Sequence, residues 1–268
     1  KKITKSFNKK PKIDLRVNLL KTNINEVLKL FSENDISVEP IKELSNGIVL
    51  KSKPRSIRNL PGYLEGKWLI QDRSSQWIAP LLKPCEGDKI LDACSAPGTK
   101  TTHLAELIKD NGEILATDRS EIRLNLLKEN LERLNIKSVK ALGIDATKLL
   151  YFEPKYKNYF DKILIDAPCS GIGTLSRNPD ARWKLSKNKI NQLIAIQEKL
   201  LETVSPLLNE NGNLLYSTCT ICPGENNLLI KRFLERNNKF TLVFEKQILP
   251  IDDESGDGFY AALLSYKR

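Results

Sequence analysis

The sequence predicts an α/β protein: a doubly wound, mainly parallel sheet with helices on both faces, preceded by a small α+β subdomain. Two observations predict this. From Gly87 onward, short apolar runs alternate with segments of helical period, the pattern of repeated βα units around a parallel sheet. Charge also changes along the chain: residues 1–84 carry 17 Lys and Arg against 8 Asp and Glu, and residues 85–268 carry 26 against 25. Pro84 and Gly87 punctuate the boundary, so the expected organisation is a basic subdomain over 1–84 and an α/β domain over 85–268.

The elements follow in order. In the first part, Leu15–Leu20 reads as a strand, Ile24–Asn34 as a helix and Gly47–Leu50 as a strand, before a looser Pro-, Arg- and Gly-containing stretch. In the second, Lys89–Cys94 reads as a buried strand and Thr99–Lys109 as a helix with Leu104, Leu107 and Ile108 on its apolar face. Gly112–Thr117 is the next strand. Ser120 caps a helix to Leu134 with apolar Ile122, Leu126, Leu127 and Leu131. Val139–Leu142, Lys162–Ile165 and Asn213–Ser217 are further strands, Lys189–Leu208 and Glu225–Arg236 helices, and Phe240–Phe244 and Phe259–Tyr266 close in extended form. That makes seven strands in the larger sheet.

The chain has 268 residues, 40% hydrophobic and 28% charged, enough for a sizeable core. Its apolar runs break well before the roughly 18 residues of a membrane-spanning helix, and Lys1–Lys12, with six lysines, has no apolar stretch behind it and is no secretory signal. A cytoplasmic monomer is expected. The chain contains no Met and begins at Lys1, which points to a piece of a longer polypeptide. The net charge of +10 sits almost wholly in the first third, which suggests a polyanion-binding module joined to a neutral domain rather than a generally basic surface; a solvated lysine tail at Lys1–Lys12 is the plainer alternative.

Cys85, Cys94, Cys169, Cys219 and Cys222 are odd in number and scattered, which argues against a disulfide framework. Cys219 and Cys222 form a CxxC, but zinc would need two more ligands where only His103 remains, and a thioredoxin motif belongs near an N-terminal strand.

The strand ending at Cys94 runs through Ser95, Ala96, Pro97, Gly98, Thr99 and Lys100 into a helix, a tight turn at the sheet edge where this fold class binds ligands. It lacks the spacing of a Walker A loop and the three glycines of the dinucleotide fingerprint, so it suits a ligand without phosphates. Asp118 ends the next strand 20 residues after Gly98, the distance at which an acidic side chain reaches ribose hydroxyls. Asp145 and Asp166 fall at the same edge. A magnesium triad would need phosphate-binding glycines beside it, so no metal is expected, and a nucleoside such as S-adenosylmethionine fits best. Asp166-Ala-Pro-Cys-Ser-Gly171 and Ser217-Thr-Cys-Thr220 then aim Cys169 and Cys219 from adjacent strand ends into one crevice. Either cysteine alone reads as a small buried hydrophobe; the pair, each in a polar turn, points to thiol chemistry.

The segments LDACSAPGTKTTHLAE, ATDRSEIRLNLLKENLERL, DKILIDAPCSGIGTLSRNPDARW, YSTCTICPGEN and GDGFYAALL, with the earlier RVNLLKT and QDRSSQW, together resemble the RNA cytosine-C5 methyltransferases, most closely the bacterial small-subunit ribosomal RNA methyltransferase B (Fmu/Sun) type. The resemblance spans the whole chain. It implies a Rossmann-like, class I S-adenosylmethionine-dependent methyltransferase domain forming 5-methylcytidine, with 16S ribosomal RNA as partner and an N-terminal RNA-recognition subdomain. It also implies that Cys219 adds to cytosine C6, because C5 is too weak a nucleophile for a sulfonium methyl until a thiolate has added. Cys169 would assist breakdown of the adduct and Asp166 would bond the cytosine N3/N4 edge. Cys94 to Lys100, Asp118, Arg123, Asp145 and Asp166 match cofactor contacts, and Arg177, Asn178, Asp180, Arg182, Trp183 and Lys184 would line the RNA entrance, Trp183 either stacking on a base or packing. Thr99 and Ser95 depart from the usual Gly and Ala of the loop. DNA cytosine methyltransferases use the PC-type cysteine as nucleophile, so exchanged roles for Cys169 and Cys219 are the alternative within the site. A DNA enzyme, or a noncatalytic RNA-binding or ribosome-assembly protein with this fold, are the alternatives for the whole chain. Full-length relatives carry a helical domain resembling the antitermination factor NusB; either it is missing here, or the chain is a shorter relative with another RNA target.

Overall fold

The computed structural model describes residues 2–251 and 255–266; Lys1 of the N-terminal lysine run lies outside them. A short helix α1 (Lys2–Ser6) leads into β1 (Ile13–Val17), α2 (Ile24–Ser32), β2 (Val38–Pro40), β3 (Gly47–Leu50) and β4 (Trp68–Ile70). These four strands form one antiparallel sheet in the order β2-β3-β1-β4, with Leu15 opposite Ile48 on one side and Ile70 on the other. The expected strand Leu15–Leu20 shifts to Ile13–Val17 because Asn18 turns the chain: its side-chain oxygen accepts from the Leu20 N–H at 3.0 Å and its amide donates to the Gly66 carbonyl at 3.0 Å. Val27 and Phe31 of α2 pack with Leu15, Val17, Ile48 and Trp68 into a separate small core.

Helices α3 (Arg73–Gln76) and α4 (Ile78–Leu81) precede the larger unit: β5 (Lys89–Asp92), α5 (Thr99–Leu107), β6 (Glu113–Asp118), α6 (Glu121–Leu134), β7 (Val139–Gly143), α7 (Leu149–Phe152), β8 (Phe160–Asp166), α8 (Ala181–Lys184), α9 (Lys187–Val204), β9 (Leu208–Thr218), α10 (Asn227–Arg236), β10 (Phe240–Ile248) and β11 (Phe259–Tyr266). Ile78, Ala79 and Leu82 pack into the core of the larger sheet.

The seven strands lie in the order β10-β11-β9-β8-β5-β6-β7. β9, β8, β5, β6 and β7 are mutually parallel; β11 and β10 complete one edge antiparallel. The antiparallel edge departs from a wholly parallel sheet because only residues 249–258 separate β10 from β11, fewer than the crossover a parallel pair needs. Successive residues feed opposite faces: Ile163 and Ile165 enter the core under α9 and α10, and Leu164 the core under α4, α5 and α6. Before β9 the α-helix gives way after Val204 to a 3-10 turn, Ser205–Leu207, since Pro206 brings no N–H to continue the α-helical ladder.

Arg16 of β1 joins the two units. Its side chain is wholly buried and donates to the Thr99 carbonyl at 2.7 Å, Thr102 Oγ1 at 3.0 Å, Glu106 Oε1 at 2.7 Å and Gln71 Oε1. Asp14, also in β1, accepts from the Arg73 guanidinium at 2.8 Å. Substituting Arg16→Met leaves the Glu106 carboxylate buried without its cation, a loss expected to cost about 3–5 kcal/mol, and Arg16→Met with Glu106→Leu recovers most of it. Urea unfolding of the two variants checks this.

Candidate active site

Chain order reverses about β5, with β6 on one side and β8 on the other, so a crevice opens at the carboxyl ends of these strands. A cavity of about 360 Å³ lies there, lined among others by Cys94, Asp118, Asp145, Asp166, Cys169 and Cys219, a size suited to a small-molecule ligand. All six were expected at one edge from sequence.

The turn after β5 is held from two sides. Gly98 takes a left-handed φ of 101°, and a Cβ there would stand 2.4 Å from Leu127 Cδ1 of α6, so glycine is required for both conformation and space. The Ala96 N–H donates to Asp118 Oδ2 at 3.3 Å, the Ser95 hydroxyl donates to the Thr117 carbonyl at 3.1 Å, and Arg123 donates to the Ala96 carbonyl. Within Cys94–Lys100, Cys94 and Ala96 line the cavity. Ser95, Pro97, Gly98 and Thr99 shape the turn behind it, and Lys100 donates to Asp166 Oδ2 at 2.7 Å.

The three acids have different partners. Asp118 also accepts from the Ser120 N–H at 2.9 Å; Asp145 accepts from the backbone N–H and hydroxyl of Thr147 at 2.9 and 2.8 Å; Asp166 accepts from Lys100 and from the Ser217 hydroxyl at 2.8 Å. Among the described residues no three His, Cys, Asp or Glu side chains converge as a metal site.

Cys169 and Cys219 bring their sulfurs within 3.4 Å of each other. Contact with the Cys219 thiol, and then burial, raise the Cys169 thiol well above its usual range, so it stays protonated. Burial and then the nearby carboxylates likewise push Cys94 up, which makes it an inert wall residue. The CxxC holds no disulfide: Cys219 and Cys222 are both free thiols.

The residues expected at the RNA entrance, around α8, have partners within the protein. Arg177 is clamped between Asp72 and Asp257, each at 2.6 Å, and also donates to the Lys12 carbonyl at 3.1 Å. Arg182 donates to the Phe7 carbonyl at 2.6 Å and to Asn8 Oδ1 at 2.8 Å, while Lys184 pairs with Asp180. Asn178 donates to Thr174 Oγ1 at 3.2 Å. Trp183 is 89% exposed.

With this geometry in view, the comparisons with known proteins decide the family. The family described as 16S rRNA methyltransferase RsmB/F matches residues 79–265, and the ferredoxin-like domain of RsmF/B-like methyltransferases matches residues 1–57. The chain belongs to the RsmB/F methyltransferase family. It is 43% identical over 229 residues to a probable ribosomal RNA small subunit methyltransferase B of Synechocystis, covering 85% of this chain and 51% of that protein. It is 38% identical to the ribosomal RNA small subunit methyltransferase B of Photorhabdus laumondii, covering 96% and 60%. The chain thus spans little more than half the length of these relatives. A methyltransferase homologue from Pyrococcus horikoshii superposes with a TM-score of 0.86 at 28% identity, over 99% of this chain and 90% of that one.

Several residues at the site carried no local signal. Ser217 reads as one more strand residue, yet orients Asp166. Ile196 and Lys199 close the cavity from α9, far along the chain. Asp92 lies wholly buried behind the turn, accepting from Thr101 Oγ1 at 2.7 Å with its other oxygen unpartnered. Burial is the main cause that lifts the Asp92 carboxyl to about 7, against the Thr101 hydrogen bond. The folded state therefore keeps a proton that the unfolded chain releases near 3.8, and stability falls as pH rises from that value to about 7 and then levels off. Asp92→Asn removes this dependence. Denaturant unfolding across that window is expected to show the variant gaining on the wild type by up to ~1.4 kcal/mol per pH unit, and parallel curves would refute the assignment.

Proposed function

We propose that this chain transfers a methyl group from S-adenosylmethionine to C5 of a cytosine in small-subunit ribosomal RNA, in the cytoplasm, through a covalent adduct on Cys219. The observation that carries the reading is the 3.4 Å approach of the Cys169 and Cys219 sulfurs on the wall of the cavity that also holds Asp118. The family and the names of its relatives support RNA rather than DNA as substrate, and neither the DNA-enzyme reading nor the noncatalytic one is favoured.

The residues fit the cofactor by chemistry: an acid ending β6 for ribose hydroxyls, a turn without phosphate-binding glycines, and an enclosed polar and apolar wall. Asp118, Asp145, Arg123 and the Cys94–Lys100 turn would hold it. When bound, S-adenosylmethionine supplies an electrophilic methyl on a sulfonium. The Cys219 thiolate adds to C6 of the cytosine, which builds electron density at C5. Asp166, steadied by Lys100 and Ser217, accepts from the exocyclic amine and from the N3–H that forms as N3 takes up the proton the Cys219 thiol gives up. After C5 takes the methyl, the C5–H electron pair expels Cys219 from C6 and the C5 proton leaves to water, while N3 returns its proton to the freed Cys219 sulfur; the protonated Cys169 donates its S–H to that departing thiolate and stabilises it.

On the RNA side, Arg177 and Arg182 act through the N-terminal segment. They pin residues 7–12 beside α8, and this segment presents the exposed Lys9, Lys10 and Lys12. With Trp183 this forms a basic track with one aromatic, the composition that follows a single-stranded backbone, and a target base in structured RNA reacts only once it is out of its stack.

Two experiments test the reading. With radiolabelled S-adenosylmethionine and unmodified small-subunit RNA, Cys219→Ala is expected to show neither transfer nor adduct, while Cys169→Ala accumulates a protein–RNA adduct on denaturing gels; the reverse pattern reassigns the nucleophile. Replacing Lys9, Lys10 and Lys12 together by Gln is expected to leave cofactor binding unchanged and to flatten the dependence of log affinity on log salt by about 2, at about 0.7 per phosphate contact on single strands. An unchanged slope places the RNA elsewhere.

A further inference from the structure

One buried acid outside the cavity has no part in the reaction just described. Glu225 follows the Cys219 turn, in the short turn Pro223–Glu225, and is wholly excluded from solvent. Its Oε1 accepts from the Ser170 backbone N–H at 2.8 Å and from Gln197 Nε2 at 3.0 Å, and its Oε2 accepts from the Ser170 hydroxyl at 2.5 Å. Because the Ser170 hydroxyl gives its proton to Glu225, its oxygen is left to accept from Thr220 Oγ1, 2.8 Å away. Thr220 Oγ1 in turn accepts from the Cys222 N–H at 3.2 Å, and Gln197 Nε2 also donates to the Pro168 carbonyl at 2.9 Å.

Ser170 directly follows Cys169, and Thr220 directly follows Cys219. One carboxylate therefore gathers both cysteine turns, and Gln197 adds a tie to the residue before Cys169. A second link, the Gly173 N–H donating to the Cys219 carbonyl at 3.1 Å, joins the same two turns on their other side. Removing a carboxylate from water is costly unless donors replace the lost hydration, and here all three donors either belong to a cysteine turn or hold one. We propose that Glu225 is a positioning residue of the two-thiol centre, holding the residues that follow Cys169 and Cys219 so that the two sulfurs meet at the cavity wall. Its role in turnover rests on the methyltransferase reading; its role in placing the sulfurs does not.

The test separates these two. In a Cys85→Ser, Cys222→Ser background, diamide removes one hydrogen atom from each of two thiols, itself becoming the hydrazine, and joins Cys169 to Cys219 as a disulfide read by peptide mass. The rate measures how often the sulfurs meet. Glu225→Leu loses all three contacts, whereas Glu225→Gln keeps the Ser170 N–H and Gln197 contacts through its carbonyl oxygen and can donate its amide to Ser170 Oγ. The expected result is joining slowed about tenfold in Glu225→Leu, and a kcat for methyl transfer lowered about 100-fold with KM for RNA and cofactor affinity unchanged. Glu225→Gln is expected to restore most of both. If Glu225→Leu does not fold, as judged by thermal melting, Ser170→Ala and Thr220→Val cut only the hydroxyl relay and are expected to slow joining in the same direction. Joining at the wild-type rate in the folded variants overturns the proposal. A wild type that joins its thiols and loses that property in Glu225→Leu, yet methylates no RNA, leaves the placement intact and removes the methyltransferase reading instead.

Discussion

The buried guanidinium of Arg16 is the interaction on which the arrangement of this protein depends. It leaves the small sheet from β1 and ends among the Thr99 carbonyl, the Thr102 hydroxyl and the Glu106 carboxylate on α5, with Gln71 closing the fourth side. A charge without water must be met by fixed partners, and three of these partners lie on the helix that begins at the Gly98 turn. The orientation of the basic subdomain and the shape of the turn over the cavity are therefore one energetic unit. His103, buried on the same helix, is held neutral by burial and then by the Arg16 charge, so it adds no second charge beside the paired guanidinium.

From that junction the chemistry spreads along the carboxyl ends of the parallel strands. Each acid at the edge is fixed differently, and the differences divide the work. Asp118 takes backbone N–H groups, pairs with Arg123 at 3.8 Å and supports the turn; Asp145 caps the turn that follows it by accepting from Thr147; Asp166 is ion-paired with Lys100, beside the thiols. Burial decides among the cysteines as well. Cys94 is held protonated by the apolar wall and the carboxylates around it, while Cys169 is held protonated first by its neighbouring sulfur. The N-terminal lysines gain their position from two arginines of the neighbouring domain, which makes a tail-like sequence part of the surface around the site.

Much of the fold was legible because its signals are local. Ile163, Leu164 and Ile165 are apolar in succession since both faces of β8 are covered, and Ser120 announces α6 by capping it. The three-residue strands Val38–Pro40 and Trp68–Ile70 escaped notice because so short a stretch has no measurable period. β9 begins at Leu208, earlier than its apolar run at Asn213, because pairing with Phe160 of β8 extends it. At the site, Cys94, Asp118, Asp145, Asp166, Cys169 and Cys219 could be named from their places at strand ends. Arg177 and Arg182 could be named too, but not their partners.

The sequence by itself determined the class of the sheet, the edge at which ligands bind and the residue types offered there, because periodicity, turn chemistry and strand ends are properties of neighbouring residues. Only the tertiary structure decided which of those groups meet. The contact of Cys169 with Cys219 spans 50 residues, that of Glu225 with Ser170 spans 55, and that of Arg16 with Glu106 spans 90. Pairings at such separations are set by how strands order themselves in a sheet and by which buried charge finds its partner. No local window of the chain contains that information.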